Sequence, residues 1–493
     1  MILAPDALSG PVRRILDGRD ADERSAAAME AMTILTQPIE ELILELPTSW
    51  APLAEHTTIM TNNVILADGT DNVVTGDVDT ILFEYFPKDA SDIFAGAALV
   101  TFGDDILFAQ TEDTITLTGD AELISSANDK TDFEFLGWLT PTGLQYTGWS
   151  FDFGDDVIVL SAGNGILTGD VGYMLMELFA WAPDFLGRDS VISATFQYGD
   201  DLLISGSGRD MLVGDVREAR LHNFIDIESH ENAEASQVHI FGDDYLQSGA
   251  GGDLLFGDFG PGNNDDDPYA IFFRPADPGL GTEDILSQCN GVLDLRFGDD
   301  TLDGGAGNDA LYGDMAGLYM FVYNGVELTL AFGDDHLIGG AGNDYIVGDI
   351  YDYYIYNPDG FLGDYQFYYL NGDDTLEGGA GDDILIGDTA DTFYQITEDD
   401  IFDDSTPDDP RIYQHIAGHD TFVFAPGSGH DQIVDFQREI DTLDLTAYGF
   451  SSIGDIDYEF VGDDLLIDLD GTEDDIASIL ILGGNIYETD VLI

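Results

Sequence analysis

The segments GDDTLDGGAGNDALYGD (298–314), GDDHLIGGAGNDYIVGD (333–349) and GDDTLEGGAGDDILIGD (372–388) are variants of one 17-residue block. Working outward, the block recurs. An aromatic-Gly-Asp-Asp tetrad opens it at Phe102–Asp105, Phe153–Asp156, Tyr198–Asp201, Phe241–Asp244, Phe297–Asp300 and Phe332–Asp335. Asn371–Asp374 is a seventh copy with Asn in the aromatic place. From first Gly to closing Gly-Asp six blocks span 17 residues and the first, 103–120, spans 18. The spacers between blocks vary, at 33, 28, 26, 39, 18 and 22 residues, after a first spacer of 25 that follows the fragment DGTDNVVTGD (68–77). A constant unit with variable excursions is the pattern of a solenoid with insertions on one face.

Within the block the pattern is Gly-Gly-x-Gly-x-Asp-x-U-x, with U large and aliphatic. U is Leu107, Ile158, Leu203, Leu246, Leu302, Leu337 and Leu376 after GDD, and Leu167, Leu212, Leu255, Leu311, Ile346 and Leu385 after the second loop. Period-2 geometry makes x-U-x a very short strand with one side chain inward. The glycines permit the positive-φ turns between strands, and Asp closes each turn. One carboxylate and several carbonyls per turn form a hard-oxygen cage that suits Ca²⁺ better than a thiophilic metal.

These motifs resemble the RTX (repeats-in-toxin) family, whose nonapeptide is GGxGxDxUx, over roughly 62–445. The resemblance implies an all-β parallel β-roll with two nonapeptides per coil and several Ca²⁺ ions between successive turns. Carried onto this chain, the implied ligands on one turn edge are Asp210, Asp253, Asp309, Asp344 and Asp383. On the other they are Asp105, Asp156, Asp201, Asp244, Asp300, Asp335 and Asp374. Two units depart from the pattern. SAGNGILTGD has Gly165 in the ligand position, and FAQTEDTITLTGD has lost its glycines. Calcium sites are therefore expected to be poor in the N-terminal third and best after about residue 199. A closing Gly-Asp and the next GDD read as halves of one split loop, so all spacers leave from a single edge.

The spacers carry two apolar arms each. MAGLYMFVYNGVELTLA (315–331) centres on Asn324-Gly325, and IYDYYIYNPDGFLGDYQFYYL (350–370) on Asn357 to Gly360; both read as β-hairpins. Their aromatics either bury one insertion against the next or form a binding or self-assembly lobe. Residues 1–58 differ. DADERSAAAMEAMTIL and PIEELILEL read as helices, hence a small helical N-terminal cap. The division expected is this cap, a roll of about eight coils over 59–417, and a β-rich C-terminal region over 418–493. The last region, with its terminal Asp490-Val491-Leu492-Ile493, resembles the C-terminal domain of RTX proteases and related proteins, which implies the type I secretion machinery as a partner.

Composition limits the function classes. The 493 residues hold 98 Asp+Glu against 14 Lys+Arg, a net charge of −84. A hydrophobic share of 44% is too high for a solvating acidic tail. So few cations exclude nucleic acid as a direct partner. The single cysteine, Cys289, excludes an internal disulfide framework. No run of about 18 apolar residues offers a membrane span. The N-terminus shows no signal-peptide apolar region, so secretion without a cleaved signal peptide is expected. Neither HExxH nor GxSxG occurs. The expectation is a secreted calcium-binding protein that folds on meeting extracellular Ca²⁺, with no catalytic residue assigned. Its expected role is non-enzymatic and structural, at the cell surface or in an extracellular matrix polymer, by self-assembly. The alternatives are an adhesin or glycan-binding module, and a hydrolase with an active site built from the insertions.

Overall fold

The computed structural model describes residues 42–45, 54–59, 62–67, 73–84, 95–109, 114–125, 146–181, 190–226, 233–260, 272–273, 291–321, 326–356, 366–391, 412–469, 477–483 and 486–493. Each coil is four-sided. In one of them Gly291–Arg296, Thr301–Asp303, Ala310–Tyr312 and Met315–Phe321 lie in four different walls. The GDD turn joins the first two strands, the GGxGxD turn the next two, and the closing Gly-Asp the last two. The next coil repeats this in parallel and in register, pairing Leu295 with Leu330, Leu302 with Leu337, Leu311 with Ile346 and Leu318 with Tyr353. The all-β parallel roll expected from the repeat is thus the fold of the chain.

Two narrow walls, sheets of 13 and 12 strands, enclose the aliphatic columns. All thirteen U residues are 0–1% exposed and belong to one continuous core. Single side chains stacked coil on coil suffice because each short strand turns only one residue inward. The strand spacing of about 4.8 Å leaves no gap between successive leucines. In the GGAG turns Gly340 has φ +100° and lies against the Gly305 carbonyl of the coil before, so a side chain is excluded on both counts.

The spacer arms differ from the expected hairpins. Among the described residues the two arms of one spacer enter different sheets and do not pair with each other. First arms such as Val171–Trp181 and Ala219–Asp226 stack in parallel in a sheet of five strands, and Met315–Phe321 and Ile350–Tyr356 in one of four. Second arms such as Ser190–Gln197, Ala233–Ile240 and Val326–Ala331 stack in a sheet of nine. Parallel bridges from Val171 through Val216 and Phe259 to Met315 connect the two first-arm sheets. A lone hairpin leaves both edges unpaired, whereas stacking on equivalent arms satisfies both. The tips at Asn324-Gly325 and Asn357 to Gly360 lie outside the described residues.

The helical N-terminal cap needs a second correction. Leu42–Glu45, inside the segment read as a helix from Pro38, is a strand paired in parallel with Ile81–Glu84. A free neighbouring strand outweighs the modest helix preference of Leu and Glu. The segment DADERSAAAMEAMTIL lies outside the described residues. Among the described residues there is no α-helix, and no helix long and apolar enough to cross a membrane.

In the C-terminal region Thr421–Val423 and Thr442–Asp444 extend the 13-stranded wall and His430–Ile433 the other. Ser478–Ile481 pairs in parallel with His430–Ile433, after which Asp464–Asp468 and Asp457–Val461 add antiparallel strands. Val491 pairs with Leu443.

Candidate metal centre

Three aspartates recur along the coils, and each forms a file down the roll. In the first file the backbone N–H of each GDD aspartate donates to Oδ1 of its counterpart one coil on. This runs from Asp105 through Asp156, Asp201, Asp244, Asp300, Asp335 and Asp374 to Asp420, at 2.5–3.1 Å. In the second, Gly165 N–H donates to Asp210. The relay then passes through Asp253, Asp309, Asp344 and Asp383 to Asp431, at 2.7–3.0 Å. The third file is made by the closing Gly-Asp. Asp77, Asp120, Asp170, Asp215, Asp258, Asp314, Asp349 and Asp388 each accept the first glycine N–H of the following loop, at 2.8–3.2 Å. The first and third files share the edge from which the spacers leave. The second lies on the opposite edge, across the leucine core.

Every such bond uses one carboxylate oxygen. For most of these aspartates the other is left over: nineteen aspartate oxygens are buried with no hydrogen-bond partner among the described residues. All twelve aspartates expected from the sequence are among them, none more than 3% exposed. A buried charged oxygen without a partner is among the most unfavourable groups a fold can hold, and a bound cation or a proton would compensate it.

The carboxylates also face one another. Oxygens of Asp77, Asp105 and Asp120 lie within 4.8 Å of each other, as do those of Asp120, Asp156 and Asp170, of Asp170, Asp201 and Asp215, and of Asp215, Asp244 and Asp258. Burial, then the neighbouring carboxylates, push Asp156, Asp215 and Asp314 well above the usual carboxylate range. Burial likewise raises Asp105 to about 9, and Asp170 and Asp258 to about 8. On the opposite edge burial raises Asp309 to about 7 and Asp383 to about 6.

The donor set fits calcium. It consists of carboxylate and carbonyl oxygens only, which a hard cation with six to eight oxygen ligands accepts. Carbonyls join at the closing glycines. A Cβ on Gly119 would overlap Asp156 Oδ2 and the Gly169 carbonyl oxygen, and one on Gly214 would overlap Asp244 Oδ2 and the Gly257 carbonyl. These glycines are cradles held open where a side chain would fill the cage.

The closing aspartates were absent from the expected ligands, although the structure puts four of the buried three-carboxylate groups around them. Their signal was the pairing of each Gly-Asp with the next GDD as a split loop. A second difference concerns the N-terminal third. The file on the GGxGxD edge does begin late, at Gly165 and Asp210, but the three-carboxylate groups on the spacer edge begin at Asp77 and run to Asp258. Loss of the loop glycines at 109–117 affects one edge and leaves the other intact.

Comparison with known families bears on these files. A family model of the RTX calcium-binding nonapeptide repeat, written as four copies, matches residues 197–216, 241–261, 292–315, 331–350 and 370–393. No curated protein matches the chain.

Proposed function

Because the chain is an RTX calcium-binding repeat protein, we propose that it is secreted through type I export and folds when it meets extracellular Ca²⁺. RTX proteins are typically exported in this way. One observation carries the reading: the nineteen buried aspartate oxygens that no donor of the described residues satisfies. Without cations, opposed carboxylates and glycine-rich chain entropy favour the unfolded, export-competent state. Millimolar Ca²⁺ outside the cell fills sites of about 10⁻⁴–10⁻³ M affinity, and its binding free energy becomes folding free energy. The ligand assignment of the twelve expected aspartates belongs to this proposal. A circular-dichroism titration of calcium-stripped protein tests it. Strand signal is expected to appear cooperatively as Ca²⁺ is added, and full β-structure without Ca²⁺ would overturn the proposal.

The role we infer is a non-enzymatic structural component of the cell surface or extracellular matrix. The GGxGxD turns of successive coils present one repeated edge, which supports side-by-side assembly. End-to-end stacking has less support, because the antiparallel strand Asp457–Val461 at the edge of the 12-stranded wall reverses the chain direction a stacked copy would need. Electron micrographs with and without Ca²⁺ are expected to show lateral arrays only with the ion. A calcium-loaded monomer at all concentrations would overturn this role and leave calcium-driven folding standing.

A further inference from the structure

We infer that the spacer edge carries its own file of cation sites, twice as charged per coil as the GGxGxD edge, and that it takes the first calcium ions. The inference rests on the calcium reading above and adds which residues bind, in what order and why. The split loop reads Gly-Asp, then the excursion, then Gly-Asp-Asp. Against the nonapeptide Gly-Gly-x-Gly-x-Asp, an aspartate replaces the second glycine. Each coil therefore contributes two buried carboxylates to this edge, such as Asp201 and Asp215, and one to the opposite edge, such as Asp210. Two charges per coil match one divalent ion per coil. A group such as Asp170, Asp201 and Asp215 places three carboxylates around one position, with closing aspartates shared between successive groups. Higher ligand charge raises affinity for Ca²⁺ and for other hard cations of the same or greater charge.

The chain contains its own version of this site with the cation replaced. Asn63 occupies the GDD position of the first described coil. Val64 is paired with Ile106, and Asn63 N–H donates to Asp105 Oδ1 just as Asp105 N–H donates to Asp156 Oδ1. The amide Nδ2 of Asn63 then donates to the Gly76 carbonyl at 3.1 Å and to Asp77 Oδ1 at 2.8 Å. One coil later the same three places are held by Asp105 Oδ2, the Gly119 carbonyl and Asp120, all acceptors, and Asp105 Oδ2 has no donor. The amide supplies in the first coil the positive pole that the following coils lack. At the other end of the file the Gln437 amide Nε2 donates to Asp388 Oδ2. Amides thus meet this file at Asp77 and at Asp388.

The same edge explains how the N-terminal coils are held. With Gly165 in the ligand place, the coil of residues 146–181 contributes no carboxylate to the GGxGxD file, yet it sits between two complete carboxylate groups on the spacer edge.

Calorimetric titration of Ca²⁺ into the full, calcium-stripped chain tests the inference, alongside Asp201→Asn on the spacer edge and Asp253→Asn on the opposite edge. Asn63 shows that asparagine is accommodated at the GDD position. Two classes separated by at least about tenfold in affinity are expected. Asp201→Asn removes one ion from the tight class and leaves the weak class unchanged, whereas Asp253→Asn spares the tight class. Loss of tight binding with Asp253→Asn and not with Asp201→Asn, equal effects of both, or a single class would each overturn the inference. If Asp201→Asn fails to reach the wild-type spectrum at saturating Ca²⁺, Asp156→Asn one coil earlier is read against the same outcomes. A wild-type chain that binds no Ca²⁺ would instead refute the calcium reading itself.

Discussion

Gly214 is small because the atoms beside it leave no room, since a methyl group there would overlap Asp244 Oδ2 and the Gly257 carbonyl. The Gly214→Ala variant is expected to lose about 1–3 kcal/mol of stability at saturating Ca²⁺, the usual range for overpacking, and to bind one ion fewer. Leu302, fully buried in the aliphatic column, makes the complementary case. Leu302→Ala should cost about 2–5 kcal/mol through the cavity it leaves while the number of bound ions stays the same. Denaturant midpoints and calcium stoichiometry measured on both variants separate the cage from the core. If Leu302→Ala also loses an ion, cage and core are not independent.

The elements are held by columns. The aromatic residues before each GDD stack face to face from Phe102 through Phe153, Tyr198, Phe241 and Phe297 to Phe332, at centroid distances of 4.7–5.1 Å. That is the strand spacing of the sheet, so in-register pairing and ring stacking favour the same geometry. A second column runs Phe151, Phe196 and His239, at 4.9 and 4.6 Å. His239 is buried where a phenylalanine would fit, and its Nδ1 and the Tyr198 hydroxyl share a hydrogen bond of 2.9 Å. Burial lowers its pKa to about 3. The folded-state value lies below the unfolded one near 6.5, so its contribution holds above that pH and is lost on acidification as the unfolded chain takes up the proton. Its ring resonances are expected to stay those of neutral imidazole from pH 8 down to 5 in calcium-saturated protein. A midpoint near 6.5 would contradict the packing. The sequence showed the first column through the repeated tetrad. The second depends on the arms pairing with their neighbours in adjacent coils, which local preference does not specify.

At the scale of the whole molecule the net charge of −84 has a structural place for part of itself. Two buried carboxylate files share one edge and a third runs down the other, so metal ions and protons compete for the same oxygens. Burial raises Asp77 and Asp383 to about 6, Asp309 and Asp431 to about 7, and Asp105 to about 9. These folded-state values lie above the unfolded value near 3.9, so the cation-free fold binds more protons than the unfolded chain. Its stability therefore falls as pH rises from about 5 to 8. Calcium-stripped protein should gain strand signal when acidified from pH 8 to 5, and adding Ca²⁺ to that acid-folded form at pH 5 should release protons. Circular dichroism and a pH-stat measure the two effects. Strand content that fell on acidification would show that carboxylate repulsion is not what opposes folding.

The repeat by itself determined the roll, its two aliphatic columns and the twelve aspartates left with a buried, unpaired oxygen. Each of these follows from a pattern only nine residues long, in which glycine, aspartate and one large aliphatic residue have locally defined conformations. Tertiary structure alone decided two things. The spacer arms stack on neighbouring coils because that pairing satisfies both edges of every strand, a gain no single spacer contains. The closing aspartates join the carboxylate groups because an excursion of 18 to 39 residues returns to the edge it left. Proximity across that distance is set by closure of the coil, which residue order alone does not encode.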